Sequence, residues 1–160
     1  MKEFSNKQPW IVLVLQNIRS LHNVGSIFRT ADAYGVNKIY LTGYTGVPPR
    51  GEISKVALGA ESWIPWEKAH HTWRILEFLR KRGFKIVALE QTKNSISITK
   101  FKPRYPLALI VGNEVKGVTK DILKRADKVI HLPMYGKKES LNVAVACGVA
   151  LASLRYCINR

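Results

Sequence analysis

Acidic side chains are scarce in this chain: 11 Asp and Glu stand against 26 Lys and Arg, a formal net charge of +15 over 160 residues. That imbalance exceeds what solubility requires and implies a polyanionic partner, with nucleic acid the leading candidate. Cysteine is nearly absent. The two present, Cys147 and Cys157, share one apparent helix, which excludes a disulfide framework and a zinc spacing, so both read as small core residues. The opening stretch, MKEFSNKQPW, lacks the apolar core of a signal peptide. No uncharged apolar run reaches the roughly 18 residues that suggest a membrane span. His22, His70, His71 and His131 show no metal-ligand spacing. The expectation is a cytoplasmic protein in a reducing compartment, with no membrane and no metal, folding as one domain over residues 1–160.

What is present is a regular alternation. WIVLVL (10–15) is a continuous apolar run of strand length, the pattern of a parallel strand covered on both faces. NKIYLTG, FKIVALE, PLALIVG and KVIHLPM supply four further strands. Between them, Asn23 can cap a helix that stops at Gly35. Trp73, Leu76 and Leu79 mark an amphipathic helix over 67–82, ended by Gly83. Thr119 can cap KDILKRA, and a last apolar helix starts at Ser140. Residues 43–66, rich in glycine and proline, read as an ordered loop with at most a short helix near 54–58. The fold class is α/β, a mainly parallel sheet flanked by helices, whose ligands sit in loops at the carboxyl ends of strands.

Three such loops are rich in glycine, asparagine and other polar residues: NIRSLHNVGSIFRTADAYG, GNEVKGV and LPMYGKKESLNVAVA. In the first, Gly25 allows a close backbone approach, and Arg29 offers a permanently charged fork suited to phosphate or ribose. Taken alone, an ordinary salt-bridging arginine is the favoured reading. In the second, Gly112 and Gly117 bracket a turn that leaves Glu114 exposed. In the third, Ser140 can cap the last helix while Asn142 aims its amide above the helix N-terminus. That helix is apolar nearly all round. Its small residues Ala144, Ala146, Gly148, Ala150 and Ala152 admit a second helix, most economically one from a homodimer partner.

These segments, in this order and near these spacings, resemble the SpoU-type (TrmH-like) RNA ribose 2′-O-methyltransferases of the SPOUT superfamily over almost the whole chain. Motif one is matched by Asn23, Gly25 and Arg29, and motif two by Gly112, Glu114 and Gly117. Motif three is matched by Pro133, Gly136, Ser140, Leu141 and Asn142. The resemblance implies S-adenosyl-L-methionine as methyl donor, RNA (tRNA or rRNA) as substrate, a homodimer and a C-terminal trefoil knot. It implies Arg29, Asn23, Glu114, Ser140 and Asn142 as the catalytic set. It implies a cofactor site of Gly112, Asn113, Glu114, Gly117, Leu132, Met134, Gly136, Ser140 and Leu141, with backbone groups of Leu132, Met134 and Leu141 holding adenine and methionine. A guanidinium stays protonated in proteins, so Arg29 suits stabilising an alkoxide or gripping a phosphate better than acting as a base.

Lys93, Lys100, Lys102 and Arg104 form a stretch without acids, and Arg19 and Arg50 flank the expected site, giving a salt-dependent grip on phosphates. Tyr44, Trp63 and Trp66 can stack a splayed base, with core packing the alternative for the tryptophans. ALEQTKNSISITKF is similar to the catalytic domain of relatives that methylate a guanosine in the tRNA D-loop, which favours tRNA over rRNA. The competing reading is an RNA-binding protein that keeps the fold without catalysis. A dinucleotide-dependent oxidoreductase lacks its GxGxxG turn here, and GNEVKG is not closed by Lys-Ser or Lys-Thr as a phosphate loop would be.

Overall fold

The computed structural model describes residues 9–156; Cys157 lies outside them, as does most of the opening stretch. Seven strands form one sheet in the order β3-β2-β1-β6-β4-β7-β5. They are β1 (Ile11–Gln16), β2 (Lys38–Thr42), β3 (Trp66–Ala69), β4 (Lys85–Leu89), β5 (Ile96–Ser97), β6 (Leu107–Val111) and β7 (Lys128–His131). Every pairing is parallel. The central pair shows why the apolar runs are continuous: all residues of β1 and β6 are buried. Ile11, Leu13, Leu15, Leu107, Leu109 and Val111 point to one layer. Val12, Val14, Ala108 and Ile110 point to the other. Each strand therefore feeds two cores at once.

The first layer holds α1 (Leu21–Ala33), the short α2 (Gly51–Ala57) and α3 (Ala60–Trp63), and α6 (Val143–Tyr156). The second holds α4 (Thr72–Lys81) and α5 (Lys120–Arg125). Gly25 is where α1 meets α2: a Cβ there would stand 2.5 Å from the Ile53 carbonyl oxygen. The close approach that this glycine allows is to another helix. Gly148 plays a milder version of the same part, with a built Cβ 3.3 Å from Thr30 Cγ2 of α1. At Gly148, α6 thus receives a helix of this same chain.

Four expectations are corrected. β3 occupies residues placed at the head of a helix, which begins only at Thr72. The repeat that signalled the helix, Trp73, Leu76 and Leu79, itself starts only there. β5 is a two-residue edge strand with no pattern to betray it. Residues 43–66 contain two helices, broken apart by left-handed Leu58 (φ 51) and Gly59 (φ 96). The last helix begins at Val143, three residues after Ser140.

Candidate active site

The carboxyl ends of β1, β4, β6 and β7 lead into the loops that build the site. After β1, the α1 N-cap is Ser20, whose Oγ accepts the Asn23 N–H at 3.2 Å. Asn23 is therefore inside the first turn and its side chain is released for other work. It is buried, and its Nδ2 donates to Glu114 Oε1 at 3.0 Å. Its Oδ1 accepts from Asn142 Nδ2 at 3.1 Å. Asn142 in turn caps α6, its Oδ1 accepting the N–H groups of Ala144 at 2.8 Å and Val145 at 3.2 Å. The capping role expected of Ser140 belongs to Asn142, because the helix starts later. One polar line, Glu114 to Asn23 to Asn142, joins all three motifs.

Glu114 anchors that line. Besides Asn23 it accepts the backbone N–H of Arg19 at 3.0 Å and of Ser20 at 2.9 Å. Partial burial pushes its pKa up, but the Ser20 and Arg19 backbone donors and the Asn23 amide outweigh that and hold it below the ordinary carboxylate value. Its loop is stiffened by Asn113, whose Oδ1 accepts from Val115 N and Lys116 N, and by the Asn113–Gly117 bridge. Gly112 has no room for a side chain against the Gly117 backbone. Gly117 has φ +67, and a Cβ there would collide with the Glu90 carboxylate.

A cavity of about 270 Å³ opens between these loops. Of the residues that the resemblance assigns to the cofactor, Gly112, Asn113, Glu114, Gly117, Leu132, Met134, Ser140 and Leu141 line it and Gly136 does not. Glu90, Gln91, His131 and Glu139 also line it. Glu90 went unnoticed in the sequence although it follows a strand at its carboxyl end, the position that flagged the other loops. Its carboxylate accepts from Val118 N at 2.9 Å and Gln91 N at 3.0 Å, tying the β4 loop to the β6 loop. The walls suit a nucleoside bearing an amino acid: Leu89, Leu132, Met134 and Leu141 give an aliphatic slot. The backbone of Met134 and Leu141 makes no hydrogen bond among the described residues.

Beside it, across the loop 113–116, lies a second cleft lined by Arg19, Ser20, Tyr44, Asn113, Glu114, Val115 and Lys116. Tyr44 is exposed and its hydroxyl accepts from Asn113 Nδ2 at 2.9 Å, which fixes the ring at the rim. Asn17, left-handed at φ 57, accepts from Tyr44 N through Oδ1 and from Asn113 Nδ2 through its carbonyl oxygen.

Arg29 is not in the cluster. It stands six residues beyond Asn23, about 9 Å along the helix and on another face. It is exposed, and its side chain makes no hydrogen bond or ion pair among the described residues. Thr119 precedes α5 without capping it; its hydroxyl and N–H pair instead with the Gln16 side chain. Trp63 is exposed, its indole N–H donating to Asp32 at 2.8 Å, so core packing is not its role. Trp66 is half-buried against the first layer. Among the described residues no three His, Cys, Asp or Glu group closely enough to hold a metal, and no helix is long and apolar enough to cross a membrane.

Fold and site together define an α/β protein with a nucleoside-sized cavity at the carboxyl ends of a parallel sheet, closed by the glycine turn and the last helix. The model of the SpoU rRNA Methylase family matches residues 10–152, and the chain belongs to that family. It is 37% identical over 147 residues to a tRNA (guanosine(18)-2′-O)-methyltransferase of Aquifex aeolicus, covering 91% of this chain and 68% of the relative. An AdoMet-bound rRNA methyltransferase from Sinorhizobium meliloti superposes with TM-score 0.87 at 29% identity, over 94% of this chain and 57% of that one. A protein described in connection with 2-OH methylation of C/U34 on tRNA superposes with TM-score 0.80 at 25% identity, over 95% and 99%. The chain spans 56 to 74% of the length of several bacterial relatives.

Proposed function

We propose that this chain is, as one domain, an S-adenosyl-L-methionine-dependent RNA ribose 2′-O-methyltransferase, working in the cytoplasm as a homodimer on tRNA in preference to rRNA. The observation that carries this is the line Glu114–Asn23–Asn142, which locks the three motif loops around one cavity. Family membership, the tRNA-methylating relatives and the net charge of +15 support the same reading.

Bound S-adenosyl-L-methionine supplies a methyl group on a sulfonium sulfur. Leu132, Met134 and Leu141 are the residues to hold it, in the slot that Gly112 and Gly117 keep open; Gly136 lies outside the lining. The second cleft receives the target nucleotide, with Tyr44 as a stacking face and Arg19 and Lys116 beside its phosphates. Glu114, acidified by its N–H donors, is a poor proton acceptor. It serves by holding Asn23 and the turn before α1 in place, so that positioning carries much of the rate. Ser140, exposed at the cavity, is free to meet the substrate.

The homodimer reading rests on α6. Val145, Val149 and Tyr156 form a stripe 52, 46 and 68% exposed, an apolar face left open to a partner. Arg29, exposed on α1 and away from this chain's own polar line, is given by the family reading the part of stabilising a developing oxyanion or clamping a phosphate. The knot follows from the family reading, as the arrangement by which the β6 loop encloses the approach to α6.

Incubating the protein with tritiated S-adenosyl-L-methionine and undermodified tRNA, then digesting to nucleosides, should yield a labelled 2′-O-methylnucleoside. Label on a base, or tight cofactor binding with no transfer to either tRNA or rRNA, would overturn the assignment.

A further inference from the structure

A third concavity lies at the opposite ends of the strands. Lys85 and Lys128 open β4 and β7, and the chain returning from β5 brings Lys100, Lys102 and Arg104 alongside, forming a groove of about 580 Å³. Val87, Ile96 and half-buried Phe101 make its apolar floor. Its one acid, Asp127, is already engaged: Oδ2 accepts Ile86 N at 2.7 Å and Oδ1 lies 3.4 Å from Arg80. No groove cation enters a salt bridge among the described residues; the ion pairs belong to Lys38, Arg80 and Arg125. Five positive side chains therefore face one concavity against a single carboxylate that is itself bound to Ile86 N and Arg80.

All five are exposed, so nothing encloses a small anion, whereas a rim of cations around an apolar floor suits a long polyanion with ribose and base faces. The groove is remote from the methyl-transfer cavity: from Lys85 to Glu90 the strand rises about 16 Å. We propose that this groove is a second RNA site, gripping phosphates of the substrate well away from the target nucleotide and so setting affinity without touching the chemistry. The proposal rests on the RNA methyltransferase reading, which it deepens.

The test compares three proteins: the parent, a groove variant carrying Lys100→Gln, Lys102→Gln and Arg104→Gln, and a control carrying Lys55→Gln, Lys81→Gln and Lys124→Gln. Binding of undermodified tRNA is measured over a range of KCl, with cofactor affinity by calorimetry and methyl transfer at saturating tRNA. The groove variant should bind tRNA at least tenfold more weakly, with a log–log salt slope shallower by about 2, as expected when two or three phosphate contacts are lost. Its cofactor affinity and kcat should stay within twofold of the parent. An unchanged slope and affinity, or an equal loss in the control, would overturn the groove while leaving the enzyme reading intact. A parent that neither binds nor methylates RNA would overturn both.

Discussion

Asn23 shows how a capping signal can fall on a residue that does not cap. Its position one turn before an apolar helix suggests a cap, yet Ser20 caps and Asn23 is a buried junction between two motifs. Side-chain capping was legible as a need of the helix end, but which nearby polar residue meets it depends on where the helix starts. The same slip moves the cap of α6 from Ser140 to Asn142. Asn23→Ala leaves two polar partners unsatisfied beside a buried position, and should cost about 1–3 kcal/mol in urea unfolding. Glu114 has a folded pKa held below its ordinary 4.5, so its contribution to stability is complete above that value and is lost as pH falls through the lowered one. The stability gap between parent and Glu114→Gln should thus be constant from neutral pH down to about 5 and close in more acidic buffer, as followed by denaturant titration. Cys147 is fully buried and its thiol is pushed up to about 12. Its peptide should escape iodoacetamide in the native protein at pH 8 and react once denaturant is added, as read by mass spectrometry.

At the level of elements, the long central strands were readable because burial on both faces writes itself as an unbroken apolar run. β3 and β5 were not, since short edge strands carry little hydrophobic pattern and owe their form to the neighbour they pair with. The helices of 43–66 were masked by their glycines and prolines, although two of those glycines sit at the start of one helix and just before the other. Gly25→Ala would force α1 away from the Ile53 carbonyl and should cost about 1–3 kcal/mol, measurable as a lowered melting temperature. On α6, Val149 is exposed on the stripe proposed to face a partner. Val149→Glu should therefore give a folded monomer by light scattering with a native circular dichroism spectrum; a stable dimer would contradict that seam.

At the scale of the whole molecule, alternation foretold an α/β protein, and the carboxyl-end rule pointed to the loops that line the cavity. Strand order was not legible. Periodicity says which face of a strand is buried and nothing about its neighbour, so the placing of β6 beside β1 is a property of the connections. The groove at the other end of the sheet was half legible: Lys100, Lys102 and Arg104 stood out as a stretch without acids, while Lys85 and Lys128 join them only through the fold.

The bond between Asn142 and Asn23 spans 119 positions, and that between Asn23 and Glu114 spans 91. Ribosomal synthesis therefore delivers the two ends of the polar line at very different moments, with Asn142 the last of the three to emerge. A nascent or prematurely terminated polypeptide that stops before α6 has the sheet's central strands but no closed pocket. Competence to act is, in this architecture, a property the chain acquires only once α6 has been made.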